Sequence, residues 1–90
     1  MNGFDWQAFG TKLRNLRHEK NLSLASASEM LGIAKSTLAG LEYGRRGASF
    51  EILVALAKFF SVSTDYLLGL SDDPTPSQHQ GGVSEISKEE

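Results

Sequence analysis

The sequence contains no cysteine, which excludes disulfide bonds and thiolate metal sites and suits a reducing cytoplasm. No apolar run approaches the roughly 20 residues of a membrane-spanning helix. The N-terminal stretch MNGFDWQAF lacks the basic and then apolar pattern of a signal peptide. His18 and His79 lie far apart, with no carboxylates at ligand spacing. We therefore expect a cytoplasmic protein with no membrane partner, no metal and no cofactor.

Signatures of catalysis are missing as well. No glycine elbow surrounds a serine, and GRRG at residues 44–47 is too short and too charged for a nucleotide-binding loop. A chain of 90 residues with 40% hydrophobic content supports one small core rather than a large cleft. We expect a protein that is not an enzyme.

An overall excess of positive charge is also missing, since the net charge is −2. Residues 1–70, however, carry eight Lys and Arg against six Asp and Glu, whereas residues 71–90 carry one against five. Phosphate binding depends on a local basic surface, and Lys35, Arg45 and Arg46 lie close together in the sequence. A nucleic-acid partner therefore remains open.

What the sequence does contain is helical periodicity, which predicts an all-α fold. Helix 1 is predicted from an N-cap at Asp5 to about Glu19, and Phe9, Leu13 and Leu16 form its buried stripe. The further helices are predicted at about 23–31, 35–43, 49–60 and 63–68.

The second and third predicted helices form one unit. Ser23 can cap the first of them, Gly32 suits the turn between them, and Leu38 and Leu41 point inward from the second. Two short helices joined by a tight glycine-bearing turn make a helix-turn-helix, whose second helix can lie in the major groove of DNA.

The fourth helix, SFEILVALAKFF, is apolar on most sides. The stripe predicted to face the core consists of Phe50, Leu53, Ala57 and Phe60. A second apolar stripe, which is left to be covered, consists of Ile52, Leu56 and Phe59. The second stripe, together with Leu68 and Leu70, predicts a homodimer surface. The alternative is that Phe4 and Trp6 fold back over the same face.

The composition changes after residue 70. Residues 71–90 are polar and acidic, and they hold both prolines and two adjacent glycines. We predict a folded domain over residues 1–70 and a flexible, disordered acidic tail or linker over residues 71–90.

Three stretches now carry a resemblance: FGTKLRNLRHEKNLS, MLGIAKSTLAGLEYGRR and SFEILVALAKFFSVSTDYLLG. In this order they resemble the helix-turn-helix domain of the phage repressor/Cro type, also called the xenobiotic-response-element type. The chain is similar to repressors of phages and mobile elements of low-GC bacteria. The resemblance implies a five-helix domain that binds a near-palindromic operator as a homodimer and represses by excluding polymerase.

The resemblance also implies roles for particular residues. Lys35 and Ser36 correspond to positions at base edges, and Arg45 and Arg46 suit phosphate oxygens. The full predicted DNA-binding set is Ser23, Lys35, Ser36, Thr37, Ala39, Gly40, Tyr43, Arg45 and Arg46. The family further implies a structural ion pair between Arg17 and Glu42.

Five positions depart from the family pattern. Ala27 and Ser28 stand where the family usually has Leu-Ala, and Gly40 stands where relatives often carry a polar or basic side chain that reads bases. Leu24 stands where the family places a phosphate-anchoring glutamine, and Ala34 stands where it places a capping Ser or Thr. Gly40 costs about 1 kcal/mol relative to alanine inside a helix. Close approach to DNA, contact with a partner protein and tolerated drift each explain this glycine.

Two other functions stay open beside repression. One is an antitoxin or other protein-binding regulator, whose partner would be a toxin, an antirepressor or the C-terminal domain of a longer chain. The other is a structural adaptor whose DNA surface has decayed.

Overall fold

In this computed structural model the described residues are 3–76, and they fold into five helices with no strand among them. The helices are α1 (Trp6–Glu19), α2 (Leu24–Leu31), α3 (Lys35–Glu42), α4 (Phe50–Phe60) and α5 (Thr64–Leu68). The predicted five-helix, all-α fold is confirmed.

Four of the five helices begin with a side-chain cap. The cap oxygens belong to Asp5, Ser23, Ser49 and Ser63, and each accepts a hydrogen bond from the backbone N–H three residues on. The exception is α3, whose N-cap residue is Ala34 and which receives no side-chain cap. The departure from the family pattern noted at this position leaves α3 without a side-chain cap, and the Thr37 amide donates instead to the Ala34 carbonyl over 3.0 Å.

Left-handed residues end the helices of the helix-turn-helix. Gly32, at the end of α2, has φ 75°, and Gly44, just after α3, has φ 73°. After α3 the Arg45 amide donates to the Gly40 carbonyl over 2.9 Å, and the Gly44 amide donates to the Leu41 carbonyl over 3.2 Å. These two hydrogen bonds form a Schellman motif, which turns the chain back sharply along α3.

The core lies between the five helices, and Ala27 is the buried apolar residue that α2 contributes to it. Its largest fully buried side chains are Phe9, Leu13, Leu38, Leu41, Leu56 and Leu67. Each such side chain contributes about 1.5–3 kcal/mol when it leaves water completely. The predicted inward positions of α1 and α3 are confirmed, because all of them are buried.

The packing of α4 differs from the prediction at two positions, whereas Ala57 and Phe60 are buried as predicted. Phe50, predicted to face the core, is 86% exposed, whereas Leu56, predicted on the uncovered stripe, is fully buried. The physical reason is that α4 carries only Glu51 and Lys58 as charges, so its hydropathy pattern does not select one face. Phe50 is also the first residue of the helix and projects past the end of the core.

The short α5 is tied to α1 by one lysine. The Lys12 ammonium donates to the Tyr66 carbonyl over 2.8 Å and lies 4.4 Å from the centre of the Tyr66 ring. The Ser63 amide, just before α5, donates to the carbonyl of Pro74, which lies beyond the end of α5, over 3.0 Å. The rest of the predicted tail, residues 77–90 with His79, lies outside the described residues.

Candidate nucleic-acid interface

The helix α3 packs against α1 and α2 through one face and leaves the other outward. Leu38 and Leu41 are buried, while Lys35 and Ser36 are exposed at its start. The predicted positions that are half-buried on this helix are Thr37, Ala39 and Gly40. The outward face therefore combines one cation with small side chains, which allow close approach of a duplex.

The basic residues lie at the two ends of this face. Lys35 opens α3, and Tyr43, Arg45 and Arg46 follow its end and are all exposed. A helix of this length places its ends about 12 Å apart at 1.5 Å per residue. Ser23, by contrast, lies on α2, where its exposed hydroxyl accepts from the Ser26 amide as a helix cap.

The acidic residue of this region is neutralised inside the fold. Between residues 33 and 50 the sequence holds one acidic side chain, Glu42, and it is 4% exposed. Lys35, Arg45 and Arg46 therefore dominate the charge that α3 and its flanking loops present to solvent.

The predicted ion pair of Arg17 and Glu42 is present. Arg17 donates from Nε to Glu42 Oε2 over 2.7 Å and from Nη2 to Oε1 over 2.9 Å. Its third donor, Nη1, reaches the Leu22 carbonyl over 3.0 Å. The hydrogen bonds to Glu42, and then its charge, raise the pKa of Arg17 above the ordinary arginine value, although burial opposes the shift. The guanidinium is therefore charged throughout the physiological range.

A close helix crossing lies beside this pair. A Cβ placed on Gly10 of α1 would overlap the backbone carbonyls of Leu41 and Glu42 at the end of α3. Only glycine fits between these two backbones without a shift of one helix. The sequence analysis missed Gly10, although the signal was available: a glycine inside an amphipathic helix has the same unfavourable propensity as Gly40.

The first turn of α1 supports the loop after α3. A Cβ on Gly44 would lie 2.8 Å from Cγ of Gln7, and one on Gly47 would lie 2.8 Å from Cζ2 of Trp6. Trp6 is held in turn by edge-to-face contacts, with ring centres 4.5 Å from Phe4 and 5.3 Å from Phe9. The basic loop is therefore backed by a cluster of aromatic rings.

The Tyr43 ring contacts two guanidinium groups. The Cζ atom of Arg14 lies 5.4 Å from the centre of the Tyr43 ring, and that of Arg45 lies 5.1 Å from it. Arg14 also approaches Glu42, with Nε 3.8 Å from Oε1. Sequence reasoning placed Arg14 only on the polar face of helix 1, because nothing local indicates which residues of another helix it meets.

Gly40 faces the other arginine of the loop. A Cβ on Gly40 would lie 2.9 Å from Cδ and 3.2 Å from Cγ of Arg46. Arg45 and Arg46 are therefore adjacent in sequence but supported differently, one beside Tyr43 and the other across Gly40.

Other kinds of site find no support in the part of the chain that the structure describes. Within residues 3–76 no group of three or more His, Asp or Glu side chains could hold a metal ion. None of the helices found there is both long enough and apolar enough to cross a membrane.

A family model described as Helix-turn-helix (HTH_3) matches residues 13–67 of this chain. Among curated proteins, the "Uncharacterized HTH-type transcriptional regulator YobD" of Bacillus subtilis (strain 168) is 39% identical over 75 residues, which are 83% of this chain and 67% of YobD. The "HTH-type transcriptional regulator AnsR" of the same organism is 50% identical over 58 residues, covering 64% of this chain and 50% of AnsR. The chain thus spans half to two thirds of the length of these two relatives.

A phage protein and a solved structure are also similar. The "Cryptic phage CTXphi transcriptional repressor RstR" of Vibrio cholerae is 31% identical over 64 residues, covering 71% of this chain and 58% of RstR. The restriction-modification controller protein C.AhdI from Aeromonas hydrophila superposes with a TM-score of 0.65 at 32% identity, covering 70% of this chain and 96% of C.AhdI.

Proposed function

Since this chain belongs to the Cro/C1-type helix-turn-helix family of transcriptional regulators, we propose that it is a cytoplasmic, sequence-specific repressor of a phage or mobile element. The members of this family are DNA-binding proteins rather than enzymes. Its target is a near-palindromic operator in double-stranded DNA, which it binds as a homodimer. Bound there, it represses by excluding polymerase.

The outward face of α3 carries this proposal. Small side chains at Ser36 and Ala39 leave room for base edges, the stem of Arg46 lies across Gly40, and cations stand at both ends of the face. The one acidic residue of the region is buried against Arg17, so it does not repel phosphate. A face with this shape and charge suits the major groove of a duplex.

The contacts divide by chemistry. Lys35 and Ser36 at the start of α3 are assigned to base edges, with Thr37 and Ala39 suited to a thymine methyl or a phosphate oxygen. Arg45 and Arg46 are assigned to phosphates, because the guanidinium fork matches phosphate oxygens. Arg14 joins this second group through its contact with Tyr43.

The test is a titration of wild-type, Lys35→Gln and Arg45→Gln proteins against two duplexes at several salt concentrations. One duplex is selected by the wild-type chain from a random-sequence pool, and the other is unselected. Arg45→Gln should weaken both complexes similarly and reduce the salt slope by about one. Lys35→Gln should weaken the selected complex more than the unselected one.

Failure takes a definite form in this titration. If no selected duplex binds more tightly than the unselected one, the chain is not a sequence-specific regulator and the adaptor alternative is favoured. A sequence-selective loss for Arg45→Gln at constant slope would move Arg45 from the phosphates to the bases.

The homodimer surface was predicted on Ile52, Leu56 and Phe59 with Leu68 and Leu70, but Leu56 is buried and, of these five, only Leu70 is exposed. The homodimer is supported instead by exposed apolar side chains, which are Phe4, Phe50, Val54 and Leu70. These side chains are between 40% and 86% exposed. Phe4 and Trp6 do fold toward this region and line a groove with Leu68, but they leave Phe50 almost bare. An exposed apolar surface of this kind is typical of an interaction site.

Light scattering at tens of micromolar protein tests the dimer. The wild-type chain should have the mass of a dimer, and Phe50→Ser should have that of a monomer with unchanged helix content. A monomeric wild-type chain would contradict a preformed dimer, and its stoichiometry on the selected duplex would then decide whether DNA assembles two copies.

The second candidate is a protein-binding regulator, and one observation favours it. Leu24 replaces the side chain that anchors the family on phosphate, and Ala34 leaves α3 without a side-chain cap, while the exposed apolar side chains remain available to a partner. Pull-down with the full chain and with residues 71–90 deleted separates the two, because a tail that folds on a partner is required for capture whereas operator binding does not need it.

A further inference from the structure

Gly40 lies in the middle of the outward face of α3, where glycine is the least favourable residue apart from proline. Its neighbours on this face, Ser36 and Ala39, both carry a Cβ. A specific contact that excludes a Cβ therefore distinguishes position 40 from the rest of the face.

That contact is made by Arg46. The Schellman turn at Gly44 reverses the chain, with the Arg45 amide bound to the Gly40 carbonyl over 2.9 Å, so the next residue returns across α3. A Cβ on Gly40 would lie 2.9 Å from Cδ and 3.2 Å from Cγ of Arg46, closer than the 3.5–4.0 Å at which carbon atoms pack. The aliphatic stem of Arg46 occupies the space that a side chain at position 40 would fill.

We propose that Gly40 is a positioning residue for Arg46: the missing Cβ lets the arginine stem lie against α3, and this directs the guanidinium to a phosphate beside the groove that α3 occupies. The inference rests on the proposed DNA-binding function and deepens it. An arginine that already lies along the helix loses less rotamer freedom on binding than one that swings freely in solvent.

The chain offers a matched control in the neighbouring arginine. Arg45 has the same charge and lies in the same loop, but its guanidinium lies beside the Tyr43 ring. Outside α3 itself, the atoms that a Cβ on Gly40 would meet within 4 Å belong to Arg46 alone, among the described residues. A change at position 40 should therefore be felt by Arg46 and not by Arg45.

Two double-mutant cycles test this, using the duplex selected by the wild-type chain at one fixed salt concentration. Gly40→Ala should weaken binding about three- to tenfold, both alone and in the Arg45→Gln background. In the Arg46→Gln background the same change should cost less than about twofold, because the side chain that it displaces no longer reaches the phosphate. Thermal unfolding of each variant should show Gly40→Ala at least as stable as wild type, since alanine favours helix.

Two outcomes of the cycles would overturn the inference. An equal loss in the Arg46→Gln background would mean that the backbone at Gly40 itself approaches DNA. Unchanged binding of Gly40→Ala in the wild-type background would mean that the contact has no part in binding.

A measurement on the free protein separates this inference from the proposed function. Nuclear Overhauser effects between the Gly40 Hα protons and the Hγ and Hδ protons of Arg46 should be present without DNA. Their absence overturns the inference even if the chain binds its operator well. Absence of any duplex binding by the wild-type chain, with these effects present, refutes the proposed function while leaving the observed contact intact.

Discussion

The two ends of α3 are held in opposite ways. At its C-terminal end Glu42 is buried against Arg17, Gly10 of α1 packs on the last carbonyls, and Gly44 closes a Schellman turn. At its N-terminal end Ala34 provides no cap and Lys35 is exposed. The difference shows that α3 is fixed to the core through one end and presents polar groups at the other.

This asymmetry separates stability from recognition along one short helix. Glu42 and Gly10 can be changed only at a cost to the whole fold, because they join α1 to α3. The exposed Tyr43, Arg45 and Arg46 that follow α3, by contrast, remain available for binding. Side chains at the free end contribute little to the fold, so they are available for binding. Four substitutions test this difference between the two ends of α3, and they are given in order of decreasing effect on stability or binding.

Glu42→Ala should lower the free energy of unfolding by about 3 kcal/mol, because it leaves the largely buried Arg17 guanidinium without its partner. Chemical denaturation measures the change. Glu29→Ala, which removes an exposed carboxylate from α2, is the matched control and should change stability by less than about 0.5 kcal/mol. Equal effects of the two substitutions would show that the ion pair does not fix the helix end.

Gly10→Ala should lower the free energy of unfolding by about 1–3 kcal/mol, since the new methyl group forces α1 away from the carbonyls of Leu41 and Glu42. The control is Gly3→Ala, because a Cβ on Gly3 meets nothing within 4 Å. Denaturation curves of the two variants should differ clearly. Coincident curves would mean that the helix crossing tolerates a side chain.

Ala34→Ser should raise stability by about 1 kcal/mol, because residue 34 already has the extended backbone of a cap. A serine oxygen could accept from the Thr37 amide, which otherwise donates to the Ala34 carbonyl over 3.0 Å. Hydrogen exchange at Thr37 should slow. Ser49→Ala is the reverse control, since it removes an existing cap bond of 3.1 Å to Ile52 and should lose a similar amount. No gain from Ala34→Ser would mean that the bond from the Thr37 amide to the Ala34 carbonyl already satisfies this amide as well as a serine cap would.

Tyr43→Leu should weaken DNA binding about two- to fivefold without changing its salt slope, because the ring that holds Arg14 and Arg45 is lost while both charges remain. Tyr43→Phe keeps the ring and should bind like wild type. Anisotropy titrations at several salt concentrations measure both quantities. A changed slope for Tyr43→Leu would show that the ring does more than position the two cations.

Sequence reasoning reached the local features and those that the family shares. The caps at Asp5 and Ser23 and the turn at Gly32 were predicted because each depends on a few adjacent residues. The Arg17–Glu42 pair was predicted from the family, since nothing in the spacing of the two residues indicates that they meet.

The remaining features depend on how helices pack, and local patterns do not report this. The rotation of α4 was predicted wrongly at Phe50 and Leu56, because a helix that is apolar on most sides has no single inward face. Arg14 and Gly10 were missed because each acquires its role from a second helix. The DNA-binding roles of the outward residues stay predictions that rest on the family and on the shape of the face.

The most direct test of the account is a titration of the isotope-labelled chain with duplex DNA, followed through the backbone amide resonances. We expect the chemical-shift changes to concentrate in residues 34–46, at the start of α3, along its outward face and in the basic loop after it, while the resonances of α5 stay unchanged. If no duplex, selected or random, moves the resonances of residues 34–46, the claim that this face of α3 binds DNA is contradicted.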